Sequence, residues 1–179
     1  YQRKNQNRPL PCGVAFSFVR RLLSLNQLNP TDPPVEVILL SRNDPDTGLR
    51  VMKSIEFHDL PMTRAVFLQG QSPQAYIPAL NISLFLSANE LDVKQAMTAG
   101  YPAGQVLKTL AYDDPEDHQL RIALDFDGVL ADDEAESIYQ QSKDLTDFHD
   151  HERSLVDTPH NPGPLAEFLK KISIIQKLE

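Results

Sequence analysis

Residues Leu120 to Leu130 read LRIALDFDGVL, an apolar, β-prone run that ends in two aspartates one residue apart and continues at once into Gly128 and a second apolar pair. Side chains along a strand alternate faces, but at its carboxyl end the chain can turn so that residues i and i+2 meet in one pocket. The run therefore predicts a strand over Arg121 to Asp125 that delivers Asp125 and Asp127 to a shared site. Gly128 suits a tight turn or a close backbone approach.

Paired carboxylates at this spacing point to phosphoryl transfer. One can attack phosphorus to form an aspartyl-phosphate, which divides a hard displacement into two easier ones. Its neighbour can protonate the leaving oxygen and later take a proton from water. Two carboxylates beside a phosphate dianion repel it, so a hard cation that prefers oxygen ligands, Mg²⁺, is implied. A strand ending in a polar turn is the plain structural alternative. A calcium loop starting at Asp125 is disfavoured, because Val129 and Leu130 stand where that loop needs an oxygen ligand and a glycine, and the preceding run is strand-like.

Around the motif, helical and strand-like periods alternate. Val14, Phe18, Leu22 and Leu25 form one stripe of a helix over Val14 to Leu28, stopped by Pro30. A strand is expected over Val35 to Leu40, a helix from Thr47 to Phe57 and a strand over Ala65 to Leu68. A short helix near Gln74 to Ala79, a strand over Ser83 to Leu86, and a helix over Asn89 to Ala99 closed by Gly100 follow. The pattern predicts an α/β fold with a mostly parallel sheet and flanking helices, in which ligands bind at the carboxyl ends of strands. With 179 residues and 41% apolar content the chain can bury a core. A net charge of −8 argues against a broad nucleic-acid surface. A single cysteine, Cys12, suits a reducing compartment, and no membrane span or signal pattern is visible. A cytoplasmic location is expected, without a membrane partner, and oligomerisation is left open.

The segment CGVAFSFVRRLLSLNQL (Cys12 to Leu28) is echoed by PGPLAEFLKKISIIQKL (Pro162 to Leu178) at a constant offset of 150 residues. Gly13 matches Gly163, Phe18 matches Phe168, and the pair Arg20 and Arg21 matches Lys170 and Lys171. Chance likeness of two amphipathic helices is the alternative. The repeat suggests two related halves: residues 1–112, then an acidic linker over 113–119, then 120–179. The motif resembles that of dehalogenase-type phosphatases, which implies a later Ser or Thr at a strand end, a Lys and late acidic residues; none can be placed after Asp127 with the expected strand context, so the chain is expected to be part of a longer protein.

The motif with Asp125, Asp127, Val129 and Leu130 resembles the nucleophile motif of the haloacid dehalogenase superfamily, whose fold is Rossmann-like. The ordered blocks PCGVAFSFVRRLLSLN, VEVILLSRNDPDTGLRVMKSIEFHDL, FLQGQSPQAYIPALNISLFLSANELDVKQAMTAG, LRIALDFDGVLADDEAE, FHDHE and NPGPL are similar to the cytosolic 5′-nucleotidase I family and its bacterial relatives. That resemblance implies Mg²⁺-dependent hydrolysis of nucleoside 5′-monophosphates, AMP or deoxynucleotides. Asp125 would be nucleophile and metal ligand, and Asp127 general acid/base and metal ligand through its carbonyl. A non-catalytic nucleotide-binding module, or a sugar-phosphate phosphatase or phosphomutase of the superfamily, are the competing readings.

The SRNDPDTGLR block is the candidate for substrate recognition. Ser41 and Asn43 could hydrogen-bond a base, ribose or phosphate, and Arg42 or Arg50 could make a forked contact to anionic oxygens. Asp44, Pro45, Asp46 and Gly48 are also good turn and capping residues without any ligand. The run Asp132, Asp133, Glu134 and Glu136 suits a solvated helix start, with a supporting role for Asp133 and Glu134 implied by the resemblance. His149, His151 and Glu152 do not have zinc spacing on one helical face. His58 is expected to be structural, and Ser72 to cap a helix.

Overall fold

The computed structural model describes residues 5–108, 113–132, 153 and 157–178. Helix α1 (Phe16–Ser24) runs on into a 3₁₀ turn, Leu25–Leu28, within the span expected from the apolar stripe. Leu23 is its buried residue. Asn26 then decides where the first strand can begin. Its Nδ2 donates to the Val35 carbonyl and its Oδ1 accepts from the Val35 N–H, both at 2.9 Å. With both backbone groups of Val35 already satisfied, pairing starts later than the sequence suggests, at β1 (Ile38–Ser41).

Helix α2 (Pro45–Phe57) begins two residues earlier than expected, because Asp44 caps it. The Asp44 carboxylate accepts from the Thr47 N–H at 2.8 Å, and Pro45 occupies the first turn, where a missing N–H costs nothing. The chain returns as β2 (Arg64–Phe67), parallel to β1 with Ile38 opposite Arg64 and Ser41 opposite Phe67. Close packing of α2 on β2 needs Gly48: a Cβ there would stand 2.7 Å from the Phe67 ring.

A second unit repeats this β-α-β arrangement. A 3₁₀ turn (Pro73–Ala75) and α3 (Tyr76–Ala79) lead to β3 (Phe85–Ser87), α4 (Glu90–Thr98) and β4 (Ala103–Gln105). Strands β3 and β4 are parallel, with Phe85 opposite Ala103. Nothing in Ala-Gly-Gln signals a strand; β4 is recruited by its neighbour, as the Phe85 N–H donates to Pro102 and the Val106 N–H to Ser87, each at 2.9 Å. Gly100 adopts φ +79° after α4, the left-handed geometry expected of it. Ile77, Phe85 and Ala96 form the core of this unit, and Leu40 of β1 packs against them, which joins the two units. Burial of side chains the size of Ile77 and Phe85 stabilises by about 1.5–3 kcal/mol each.

The second copy of the sequence repeat forms α5 (Ala166–Ile175) and a 3₁₀ turn, Gln176–Leu178. Its start reproduces α1 bond for bond: Phe16 N donates to Gly13 O at 3.0 Å, and Ala166 N to Gly163 O at 3.1 Å.

Two expectations need correction. The sheet is not one mostly parallel sheet but two two-stranded parallel sheets among the described residues. The strand expected over Arg121 to Asp125 is an extended segment that pairs with no described strand. Its side chains nevertheless alternate, with Ile122 and Leu124 half-buried and Arg121, Ala123 and Asp125 exposed. Apolar alternation reports which face is covered, whereas a ladder also needs a neighbour at hydrogen-bonding distance. No helix among the described residues is long and apolar enough to cross a membrane.

Candidate functional site

Asp125 ends the extended segment, and its carboxylate accepts from the Phe126 N–H at 2.9 Å. Asp127 follows on the same turn; both residues are exposed, and neither carboxylate forms an ion pair among the described residues. The chain then folds back sharply. Gly128 takes φ +69°, and the N–H groups of Leu130 and Ala131 both donate to the Phe126 carbonyl at 2.9 Å. Only a residue tolerant of positive φ closes this turn without strain.

What holds the loop is the leader of the second repeat helix. Gly163 N donates to Leu130 O at 2.8 Å, Leu165 N to Val129 O at 2.9 Å, and Asp132 N to Asn161 O at 2.9 Å, around a bridge between Ala131 and Pro162. The Asn161 amide donates to Asp132 Oδ2 at 2.7 Å, and Phe126 meets His160 edge to face at 5.6 Å. Gly163 permits this approach, since a Cβ there would sit 2.4 Å from the Ala131 carbonyl oxygen and 2.6 Å from that of Val129. The seat formed by Asn161 and Gly163 was absent from the sequence expectation. Its signal, the glycine between two prolines in NPGPL, shows a close approach but not what approaches.

The donor chemistry of the loop suits a hard divalent cation in kind. Its two carboxylates are oxygen donors, exposed and uncompensated, and Asp132 Oδ1 on the same loop is buried with no hydrogen-bond partner, so the loop carries negative charge that no described cation balances. In number the donors fall short of a complete shell: no group of three or more His, Cys, Asp or Glu side chains converges among the described residues. Mg²⁺ commonly keeps water and substrate oxygens alongside one or two carboxylates, which is compatible with that count.

The second expected cluster lies at the carboxyl end of β1. Ser41 Oγ accepts from the Asn43 N–H at 3.2 Å. Arg42 reaches across to the second unit: its Nε donates to Asp92 Oδ2 at 3.2 Å, its Nη2 to Asp92 Oδ1, and its Nη1 to the Gly70 carbonyl at 3.1 Å. The Asp92 side chain is 5% exposed and that of Arg42 39%, so the guanidinium faces a buried carboxylate on one edge and solvent on the other. That hydrogen-bonded carboxylate raises the Arg42 pKa above its ordinary value. Return bonds from Gly70 N to Arg42 O and from Gln69 N to Asn43 O pin the turn to the loop after β2, where Gln69 and Gly70 take φ +49° and +87°. Arg50 lies elsewhere, its Nε donating to the Arg8 carbonyl at 2.8 Å, so the structure groups Ser41, Arg42 and Asn43 without it. No hydrogen bond or ion pair among the described residues joins this cluster to the aspartate loop.

A cavity of about 340 Å³ lies behind the motif, between Leu25 and Leu28, Ile122 and Leu124, and Phe168 and Ile172. It is lined chiefly by apolar side chains and excludes both aspartates, so it is a packing feature and not the chemical site. His58 is held between Phe16 and Phe57 at ring distances of 5.3 and 5.1 Å, with Nε2 2.7 Å from the Leu10 carbonyl. Ser72 accepts from Gln74 N at 3.4 Å as a cap. Asp133, Glu134, Glu136, His149, His151 and Glu152 lie outside the described residues.

A family model described as 5′-nucleotidase matches residues 1–179. Among curated proteins, "Cytosolic 5′-nucleotidase 1B" of Homo sapiens is 30% identical over 185 residues, covering 99% of this chain and 30% of that protein. The chain thus spans about 30% of the length of that relative. No solved structure matches the chain significantly.

Proposed function

The chain belongs to the 5′-nucleotidase family, and from that premise we propose that it carries the nucleophile loop of a Mg²⁺-dependent enzyme that hydrolyses nucleoside 5′-monophosphates, AMP-like or deoxynucleotide, to nucleoside and phosphate. The observation that supports this most strongly is the loop itself, with two exposed carboxylates on one turn anchored to a helix leader by three backbone hydrogen bonds. Asp125 attacks phosphorus in line with the ester bond; a phosphorus–oxygen bond to Asp125 forms as the bond to the ribose 5′-oxygen breaks. Asp127 gives its proton to that leaving oxygen. A water then loses a proton to Asp127 and attacks the aspartyl-phosphate, which releases phosphate, frees the Asp125 carboxylate and leaves Asp127 protonated as it began. Mg²⁺ held by Asp125 and Asp127 would supply neutralisation of the phosphoryl charge.

Substrate recognition falls to the turn after β1. Ser41 and Asn43 offer neutral hydrogen bonds to base, ribose or phosphate, and Arg42 keeps two N–H groups not used by Asp92 and Gly70 for an anionic oxygen. Arg50 has its two terminal nitrogens free of described partners and could serve the same anion only if the amino-terminal segment borders the site. A cytosolic setting accords with the name of the human relative. The test is phosphate release from AMP, with and without Mg²⁺, by the longer parent protein and its Asp125→Asn variant. Turnover should fall by about a thousandfold or more in the variant. Unchanged turnover would end the nucleophile assignment, and AMP binding without turnover in the parent would favour a non-catalytic nucleotide-binding module.

A further inference from the structure

Strands β1 and β3 end alike. Leu40, Ser41, Arg42, Asn43 at the end of β1 correspond to Leu86, Ser87, Ala88, Asn89 at the end of β3, and each Ser-x-Asn leads into a helix. The local bond is also the same: Asn43 N donates to Ser41 Oγ at 3.2 Å, and Asn89 N to Ser87 Oγ at 3.1 Å. Strands β1 and β3 belong to different two-stranded sheets, each parallel to its own partner, and Leu40 of β1 packs on the cluster that contains Phe85 of β3. Arg42 of the first turn grips Asp92 in the first turn of α4 directly, which ties the two strand ends together.

One difference separates the turns. The first has an additional residue, Asp44, which caps α2, and so the side-chain amide of Asn43 makes no hydrogen bond among the described residues. The second lacks that residue, and Asn89 itself caps α4 by accepting from Leu91 N at 3.0 Å and Asp92 N at 3.3 Å. Each serine oxygen accepts from the backbone, yet neither hydroxyl proton has an acceptor among the described residues. A hydroxyl placed this way is a donor waiting for an acceptor-rich group.

We propose that Ser87 stands with Ser41 and Asn43 in one recognition edge for the nucleoside monophosphate, a specificity residue whose hydroxyl donates to the ligand while the Arg42–Asp92 contact keeps the two turns in register. The inference rests on the assignment of Ser41 and Asn43 to substrate recognition. Carboxyl ends of strands in α/β units are where ligands gather, and two neutral donors beside a guanidinium already half committed to Asp92 suit phosphate or ribose oxygens.

The test uses the longer parent protein in an Asp125→Asn background, with AMP as the probe in calorimetric titration. Ser87→Ala should raise the Kd for AMP about five- to tenfold, the loss of one hydrogen bond to a ligand. Ser87→Thr, which keeps the hydroxyl, should restore it to within about twofold of the background protein. A Kd unchanged by Ser87→Ala overturns the proposal, as does a lowered Tm with unchanged Kd, which would give Ser87 a purely structural role. The outcome is separable from the catalytic assignment: retained turnover in Asp125→Asn defeats that assignment and still leaves AMP affinity to judge Ser87. If the parent binds no AMP, both fall.

Discussion

The two copies of the repeat have nearly the same backbone and quite different surroundings. Both begin with a glycine whose carbonyl accepts from the first helical N–H, and both run from α-helix into a 3₁₀ turn. Gly163 sits under the aspartate loop with carbonyl oxygens at 2.4 and 2.6 Å from where a Cβ would be; Gly13 has nothing within 4 Å. The basic pairs have diverged too. Arg21 donates to the Asp117 carbonyl at 2.9 Å and to Asp113 Oδ1 at 2.8 Å, and Arg20 to the Pro115 carbonyl at 2.8 Å, which secures the acidic linker. Lys171 meets the half-buried Ser83 hydroxyl at 2.8 Å, and Lys170 lies 3.7 Å from Glu167. One helical unit has thus been used twice, once to anchor the segment that leads to the motif and once to seat the motif itself. A repeat preserves what a helix needs locally and leaves free what its faces touch.

The largest test of that contrast is a paired glycine substitution. Gly163→Ala must push against backbone, which has no flexible side chain to yield, so destabilisation of about 1–3 kcal/mol by denaturant unfolding and a clear loss of turnover in the parent protein are expected. Gly13→Ala should change stability by no more than about 0.5 kcal/mol. Equal effects at both glycines would remove the distinction between an occupied and an open leader.

A smaller effect should separate the basic pairs. The Arg21 side chain is 18% exposed and spans three acceptors, so Arg21→Ala should cost about 1–2 kcal/mol. Lys171→Ala removes a single exposed bond and should stay within about 0.5 kcal/mol. Thermal unfolding of both variants would decide it.

The smallest expected effect is a pH dependence of the linker clamp that the first copy forms. The Ser17 hydroxyl, then the charges of Arg21 and Arg20, hold the Asp113 carboxyl below its ordinary 3.8, and a bond from Arg121, with the Gln119 N–H, does the same for Asp117. Carboxylates depressed in the folded state contribute stability that is complete above their unfolded value and is lost as pH falls through the lower folded one. Stability should therefore decline with acid below about pH 4, and Asp113→Asn should flatten that decline. An Asp113→Asn curve parallel to the parent's would show that the linker clamp is not the acid-sensitive element.

Much of this was legible in the residues. The apolar stripe gave α1, Asn89 and Gly100 bracketed α4, and the repeat at offset 150 pointed to a second amphipathic helix like the first. Strand limits were less legible, because tertiary partners moved them. Asn26 occupies both backbone groups of Val35, and β4 exists because β3 offers it a ladder. At the turn after β1, Ser41, Arg42 and Asn43 were visible as polar residues after a strand, but the Asp92 partner lies 50 residues away and has no signature of its own.

By itself the sequence determined the local chemistry: two carboxylates on a glycine-closed turn, the caps of three helices, and two helices of one design, all set by contacts within a few residues. Only the tertiary structure decided that Gly163 seats the aspartate loop, that Arg42 after β1 meets Asp92 in the first turn of α4, and that LRIAL stays extended with no ladder among the described residues. Those outcomes depend on which surfaces meet across long stretches of chain. Hydrophobic periodicity says that a face must be covered, and the meeting partner alone says by what.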